Sequence, residues 1–305
     1  MQTEQLQPAK ADIWWRLMRP HTLTASFVPV AVGTALAVYE SPIRLALLAA
    51  MLLACLLIQT ATNMFNEYYD YVRGLDTAAS IGIGGTIVRD GVKPTTVFNL
   101  AILFYIISML PGIYICVESS WWIAVIGLVS MAVGYFYTAG PLPIAYTPLG
   151  ELFSGIFMGP VIILITYFIQ TGTVSSGASL ISVSVGLLIG AINLANNIRD
   201  LDGDKEHGRR TLAILLGRPR AIGLLSGVFA GAFVWIAILA IFQIATPWTL
   251  LVFLSLPKAR RAAQQFKGKS KPVEMMPAMK ATAQLNTQFG LLLAAGLLIG
   301  YAVQL

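Results

Sequence analysis

Apolar stretches long enough to cross a lipid bilayer recur along almost the whole chain, and they constrain its fold more than any other feature. Hydrophobic residues make up 57% of the chain and charged residues only 11%, whereas a soluble domain has about 25% charged residues. Within a bilayer the backbone N–H and C=O groups must bond to each other, so single apolar segments of this length form helices. The sequence therefore predicts an all-α polytopic membrane protein with one transmembrane domain over residues 1–305.

The apolar runs predict about nine transmembrane helices. The first follows a polar, cytoplasmic N-terminal segment (residues 1–18), and the eighth is short, ends at Pro257 and needs a continuation to cross. The predicted spans are residues 22–39, 45–66, 96–117, 121–138, 150–170, 178–197, 221–242, 247–257 and 285–304.

The basic residues predict how these spans are oriented. All of the 20 Lys and Arg except Arg44 lie before the first span, which starts at residue 22, or in the connections 67–95, 139–149, 198–220 and 258–284. With nine spans, the N-terminal segment and these four connections lie on the same side of the membrane. Lys and Arg concentrate on the cytoplasmic side of membrane proteins. We therefore expect the N-terminus inside and the C-terminus outside, in the cell (plasma) membrane. Basic loops that face anionic membrane lipid explain a pI near 9.4 without a nucleic-acid partner.

Two polar segments at the cytoplasmic ends of the second and sixth spans resemble each other. Asn66 and Asp70 form an Asn-x-x-x-Asp pattern in the first, and Asn196 and Asp200 repeat it in the second. These positions are equivalent if the chain consists of two four-helix halves plus a ninth helix. Each charged residue within a membrane helix costs about 2.5–3.5 kcal/mol on insertion scales, so these carboxylates need partners. Seven of the 14 acidic residues belong to the two segments and their continuations: Asp70, Asp76, Asp200, Asp202, Asp204 and Glu206, together with Glu67.

The spacing of the carboxylates suits a divalent cation. Asp200 and Asp204 share a helix face if the helix continues, and we expect Gly74 to end the other helix and put Asp76 on the next turn. Carboxylate oxygens are hard ligands that suit Mg²⁺, which usually binds through a few carboxylates plus substrate phosphates. The predicted metal-binding and catalytic residues are Asp70, Asp76, Asp200 and Asp204. Asp202 and Glu206 fit a solvated loop equally well.

Basic and glycine-rich segments beside the carboxylates predict a diphosphate site. Arg offers paired hydrogen bonds to phosphate and Lys a point charge, and a glycine-rich loop over residues 80–86 can bind an anion through its backbone amides. The predicted substrate-binding residues there are Asn66, Glu67, Arg73, Arg89, Asn196, Arg199, Lys205 and Arg209.

An aromatic and almost uncharged loop, residues 135–146, has two interpretations. It forms either a rigid turn at the membrane interface or a platform for a flat aromatic acceptor, with Tyr137 and Tyr146 as binding residues. The loop contains no Lys or Arg. A carboxylate bound there would find no cationic partner within this loop.

These motifs resemble the UbiA superfamily of intramembrane prenyltransferases, and within it the menaquinone-pathway branch. The likeness extends over nearly the whole chain. It rests on Arg19-Pro20-His21-Thr22, on the two Asn-x-x-x-Asp segments with Asp76 and Asp204, on Tyr137-Thr138-Ala139-Gly140-Pro141 and on Arg209-Arg210-Thr211-Leu212-Ala213. The chain departs from the general pattern at Glu67, where Asp is usual, and in lacking the basic pair associated with 4-hydroxybenzoate enzymes.

The resemblance implies an activity. A polyprenyl diphosphate would be the donor, with its diphosphate held by Mg²⁺, and an aromatic acid would attack the resulting allylic cation. In this branch the acceptor is 1,4-dihydroxy-2-naphthoate, whose carboxylate leaves as CO₂ to give demethylmenaquinol.

Other classes of protein remain as alternatives. The alternative nearest to this activity is a prenyltransferase that uses another aromatic acceptor, such as 4-hydroxybenzoate. A secondary transporter for an organic anion also has intramembrane carboxylates, but these usually lie near the midplane rather than at helix ends. A CDP-alcohol phosphotransferase would require one contiguous Asp motif, which this sequence lacks.

Overall fold

The computed structural model describes residues 10–20, 22–77 and 85–304, so His21 and most of the glycine-rich loop lie outside the described residues. The described part is helical and contains no strand. Its α-helices are α1 Lys10–Met18, α2 Thr24–Ala37, α3 Leu45–Val72, α4 Thr86–Asp90, α5 Pro94–Glu118, α6 Trp122–Phe136, α7 Gly150–Ile156, α8 Ile162–Thr171, α9 Ser176–Glu206, α10 Leu212–Leu216, α11 Arg218–Ile241, α12 Leu256–Phe266 and α13 Pro272–Gln304.

The structure confirms a multi-pass membrane protein. Within the described residues, six helical segments are long and apolar enough to cross a bilayer. They are α3, α5, the continuous helix formed by α7 and α8, α9, α11 and α13, while α2 and α6 are shorter apolar helices. The tryptophans at the ends of these segments, such as Trp121 and Trp122, are exposed, as residues at a membrane interface are.

The predicted bounds of the connection over residues 258–284 were wrong, because most of this range is helical and only residues 267–271 separate α12 from α13. A 3₁₀ segment, Pro247–Ser255, continues directly into α12, and α13 begins at Pro272. Both α12 and the start of α13 are amphipathic, with Ala262 and Met275 buried among charged neighbours. Averaging hydropathy along the chain hides such a helix, because its polar face cancels its apolar face.

Small residues bring α7 and α9 together. A Cβ added to Gly159 would lie 2.5 Å from the Gly186 Cα, and one added to Gly155 would lie 2.8 Å from the Gly186 carbonyl oxygen. A π-helical turn over Phe157–Val161, which contains Pro160, joins α7 to α8 without a break. Small residues four positions apart are a common way for membrane helices to approach closely. This contact fixes the position of α9, whose C-terminal end carries the second acidic segment.

A cavity separates two groups of packed helices. α3 packs along α5, whereas α9 packs against α7, α11 and α13, and α2 packs against α8 and α13. The cavity has a volume of about 1220 Å³ and is lined from both groups. Its walls are mostly apolar, and its polar residues include Asn66 and Asn196, at the helix ends that carry the acidic segments.

Candidate active site

The first acidic segment lies at the end of α3, and its helix cap brings two carboxylates together. α3 ends at Val72, and Gly74 has φ +74°, the left-handed conformation that glycine adopts without strain. The Leu75 and Asp76 amides then donate to the Asp70 carbonyl oxygen at 2.9 and 3.3 Å. The prediction that Gly74 ends this helix is confirmed, and the chain folds back so that Asp76 lies beside Asp70.

The second acidic segment ends in the same kind of cap. α9 continues to Glu206, Gly208 has φ +77°, and the Arg209 amide donates to the Asp204 carbonyl oxygen at 3.0 Å. Asp200 and Asp204 are therefore one turn apart on a continuous helix, as predicted. Relative to its cap, Asp204 occupies the position that Asp70 occupies in α3.

Arg209 joins the two segments. Its guanidinium donates to Asp70 Oδ1 at 2.8 Å and lies 3.1 Å from Asp204 Oδ1. Burial lowers the pKa of Arg209, but Asp70 and Asp204 outweigh that effect and raise it. The two acidic segments therefore meet, with a largely buried guanidinium between them.

Two carboxylates of the site, those of Asp204 and Asp76, lack enough positive charge around them. Asp204 Oδ2 is buried without a hydrogen-bond partner among the described residues. Burial, and next the Asp70 carboxylate, raise the pKa of Asp76 to about 6. Among the described residues, no three Asp, Glu, His or Cys side chains lie close enough together to form a complete metal site by themselves. This oxygen-rich set fits Mg²⁺ that takes further ligands from a substrate.

Arg199 forms an internal ion pair. It donates to both oxygens of Asp200, through Nε at 2.6 Å and through Nη2, and its Nη1 contacts Met276 Sδ at 3.5 Å. Its side chain is only 7% exposed. Arg199 therefore orients Asp200 and connects the second acidic segment to α13.

Glu67 anchors the polypeptide around the site. Its side chain is fully buried, and it accepts hydrogen bonds from the Thr86 hydroxyl and, at 3.2 Å, from the Ile87 amide at the start of α4. Arg19 lies 3.6 Å from its second oxygen. The carboxylate of Glu67 thus binds protein groups from α4 and from the segment before α2.

The aromatic loop is held by residues that we predicted to bind substrate. Arg73 donates to the carbonyl oxygens of Thr138 and Gly140, and Asn66 accepts from the Thr138 hydroxyl at 2.9 Å. The guanidiniums of Arg73 and Arg209 lie 5.2 and 4.7 Å from the centre of the Tyr146 ring. Tyr146 therefore packs against the cations of the acidic site.

Three residues of this region were missed from the sequence. Asn193 donates to the Tyr137 hydroxyl, and both side chains line the cavity. Asn197 donates to Glu151 Oε1 at 2.8 Å, and both are buried. An isolated Glu at the start of an apolar helix was the available signal for Glu151.

The other predicted residues lie at the edge of the site. Lys205 and Arg89 are exposed, on α9 and α4 respectively. Asp202 is 66% exposed and forms an ion pair with Arg218 at 3.0 Å, which agrees with the solvated interpretation of this residue.

Comparison with known proteins identifies the family. The model of the UbiA prenyltransferase family matches residues 26–287. The chain belongs to this family. It is a prenyltransferase, as the resemblance in its motifs implied.

Named relatives cover almost the whole chain. The prenyltransferase is 56% identical over 300 residues to 1,4-dihydroxy-2-naphthoate octaprenyltransferase of Bacillus subtilis, a match that covers 98% of this chain and 96% of the relative. It is 26% identical over 303 residues to the enzyme of the same name from Escherichia coli, covering 97% and 98%. UbiA prenyltransferase domain-containing protein 1 of Homo sapiens is 30% identical over 298 residues, covering 93% and 83%.

Solved structures share the fold. A UbiA homolog from Archaeoglobus fulgidus bound to GPP and Mg²⁺ superposes with a TM-score of 0.66 at 17% identity, covering 92% of this chain and 99% of that one. The apo structure of a UbiA homolog from Aeropyrum pernix K1 has a TM-score of 0.64 at 19% identity, covering 92% and 98%.

Proposed function

We propose that this prenyltransferase transfers a polyprenyl group from polyprenyl diphosphate to 1,4-dihydroxy-2-naphthoate, with loss of CO₂, to give demethylmenaquinol. The observation that carries the proposal is that two acidic helix ends meet at the polar end of a large apolar cavity. The identity of 56% to the Bacillus subtilis enzyme supports the choice of acceptor.

The donor diphosphate binds at the acidic helix ends. Asp70, Asp76, Asp200 and Asp204 are the residues that would hold Mg²⁺ there, and the Mg²⁺ bound to the Archaeoglobus fulgidus homolog supports a divalent ion. Bound Mg²⁺ supplies positive charge that stabilises the departing diphosphate. Arg209 adds a buried guanidinium at the same point, and Lys205 and Arg89 provide further positive charge at the exposed edge.

The apolar cavity accommodates the isoprenoid chain and the acceptor ring. It is larger than the roughly 300–1,000 Å³ of typical small-molecule pockets, at about 1220 Å³. Residues such as Ile113 and Leu128 line it and are exposed, which leaves a route for a long tail to leave sideways into lipid. Apolar walls exclude water, which would otherwise capture an allylic cation.

The reaction balances without an oxidant or a reductant. The C–O bond to diphosphate breaks, and its electron pair leaves with diphosphate. The carboxyl-bearing ring carbon then forms a bond to the allylic carbon. When the C–C bond to the carboxylate breaks, its electron pair returns to the ring and CO₂ departs. Diphosphate takes up a proton from solution.

The proposal also includes the membrane topology of the protein. We propose nine crossings, counting α2, α6 and the helical segment from Pro247 to Phe266 in addition to the six long helices, within one domain. The basic residues at the same ends as the acidic segments support a site that faces the cytoplasm from the plasma membrane. The proposed arrangement remains two four-helix halves plus a ninth helix.

A competition assay tests the activity. Purified protein in lipid nanodiscs with Mg²⁺ and a labelled polyprenyl diphosphate is given equal amounts of 1,4-dihydroxy-2-naphthoate and 4-hydroxybenzoate. We expect the naphthoate to be prenylated and a label on its carboxyl carbon to be released as CO₂. Prenylated 4-hydroxybenzoate as the main product, or retention of the label, contradicts the acceptor. Absence of any prenylated product contradicts the whole proposal and favours transport.

A further inference from the structure

The charged residues in the described lining of the cavity are all basic. Its described lining includes the cations Arg19, Lys258 and Lys280, together with several amide side chains, but neither Asp nor Glu. Arg19 already has Glu67 at 3.6 Å. No hydrogen bond or ion pair joins Lys258 or Lys280 to any part of the chain that the structure describes. Two ammonium groups of the cavity are therefore available to an anionic ligand.

The two lysines lie at the same depth on an antiparallel pair of helices. Lys258 lies eight residues before the end of α12, and Lys280 lies eight residues after Pro272 starts α13. At about 1.5 Å of rise per residue, each lies about 12 Å from the connection between the helices. Lys280 belongs to the face of α13 that lines the cavity with Met276, Gln284 and Leu291, and its side chain is exposed.

Contacts of α13 relate Lys280 to the reacting groups. Met276, one turn before Lys280 on the same face, touches Arg199, which in turn binds Asp200. Asn196, one turn before Asp200 on α9, also lines the cavity. Lys280 thus lies about one turn, or about 5.4 Å, deeper than the acidic helix ends. A donor whose diphosphate is bound at the acidic helix ends would have its allylic carbon near this level, where the acceptor ring must meet it.

We propose that Lys280, assisted by Lys258, binds the carboxylate of the aromatic acceptor. This inference rests on the proposed prenyl transfer. The carboxylate is bonded to the ring carbon that attacks, so it must lie close to the allylic carbon and one turn away from the diphosphate. The aromatic loop contains no Lys or Arg, whereas α12 and α13 contribute two lysines to the wall of the same cavity.

Lysine suits this task because its charge contacts the carboxylate without a rigid paired geometry. The carboxylate is anionic when it binds and leaves as neutral CO₂, so the lysines contribute mainly to ground-state binding. Their removal should then raise the KM of the acceptor more than it lowers kcat.

The test compares Lys280→Met and Lys258→Met with Lys267→Met, which removes an exposed lysine from the connection between α12 and α13. A hydrogen bond to a charged group is worth about 1.5–3 kcal/mol, so we expect the KM for 1,4-dihydroxy-2-naphthoate to rise about 10- to 150-fold in Lys280→Met. Lys258→Met should give a smaller rise, and Lys267→Met none. The KM for the donor should not change, and Lys280→Arg should restore much of the acceptor affinity.

A carboxylate-free probe separates charge recognition from a structural effect. The inhibition constant of 1,4-dihydroxynaphthalene should be the same in the wild type and in Lys280→Met. An equal loss of affinity for this probe in Lys280→Met overturns the inference. A rise in the KM of the donor instead of the acceptor also overturns it, and would indicate that the lysines bind diphosphate. If the wild type does not prenylate the naphthoate, the proposed function fails. Fluorescence titration with 1-hydroxy-2-naphthoate and 1-naphthol then still decides whether Lys280 selects a carboxylate, since only the first probe should lose affinity in Lys280→Met.

Discussion

Arg209 donates a hydrogen bond of 2.8 Å to the Asp70 carboxylate, although 139 residues separate them in the chain. Asp70 ends the first acidic segment, and Arg209 follows the second. The contact therefore closes the site between two helices that are distant in sequence, and it places a permanent cation among carboxylates that otherwise repel each other.

Replacement of Arg209 by Met should remove this cation with little change in volume. Removal of one preorganised group that stabilises transition-state charge typically costs about 10²–10³ in rate, and we expect a similar fall in kcat/KM. Without Arg209, only bound metal would offset the repulsion between the carboxylates. Mg²⁺ should therefore raise the melting temperature more in Arg209→Met than in the wild type. Arg218→Met, which removes the partner of exposed Asp202, is the control. Wild-type activity in Arg209→Met contradicts the prediction.

The carboxylates themselves are tested by Asp70→Ala and Asp200→Ala. Both should abolish turnover while the protein still inserts and purifies normally, since each removes a proposed ligand of Mg²⁺. A chelator should have the same effect on the wild type, and added Mg²⁺ should reverse it. Asp202→Ala should remain active because this side chain is 66% exposed and paired with Arg218. Full turnover in the chelator would falsify the metal requirement.

Glu67 should matter for stability rather than for metal. Glu67→Ala leaves Arg19 and the start of α4 without their partner, and breaking a buried ion pair costs about 3–5 kcal/mol. We expect a lower melting temperature and faster proteolysis between α3 and α5. Thr86→Val removes one hydrogen bond of the same group and should cost about 1–3 kcal/mol. Equal stability of Glu67→Ala and the wild type would show that the anchor is dispensable.

Tyr137 tests the aromatic loop as an acceptor platform. Tyr137→Phe keeps the ring but loses the hydroxyl that accepts from Asn193, and a hydrogen bond of about 0.5–1.5 kcal/mol predicts at most about a tenfold rise in the KM of the acceptor. Tyr137→Ala should raise it further, without a change in the KM of the donor. Tyr71→Phe, at an exposed position, is the control. If the loop is only an interfacial turn, neither Tyr137 variant changes acceptor affinity.

Single-cysteine labelling tests the topology. An impermeant reagent added outside intact cells should label Ser119→Cys and Gly172→Cys, and it should not label Gly203→Cys or Gly268→Cys. Both native cysteines, Cys55 and Cys116, are buried, which keeps the background low. Labelling of Gly203→Cys from outside would move the acidic segments to the other side of the membrane.

The sequence by itself determined the class of fold and the places where polar residues meet the ends of apolar helices. Bilayer insertion depends on local hydropathy, and a carboxylate beside an apolar helix is costly wherever the chain folds. For this reason the long apolar helices, the end of α3 at Gly74 and the shared face of Asp200 and Asp204 were predictable from neighbouring residues alone. The amphipathic α12 and the early start of α13 were not, because their mean hydropathy resembles that of a loop.

Only the tertiary structure decided which partner each polar residue has. Glu67 binds α4, Arg73 binds the carbonyl groups of the aromatic loop, and Arg209 bridges Asp70 and Asp204. Lys280 lines the cavity, which its place in a basic segment of the sequence did not indicate. A side chain of given chemistry can satisfy its charge with any complementary group within a few ångströms. Which group that is depends on how the helices pack, and the close approach of α7 and α9 at their glycines is a property of the assembled bundle.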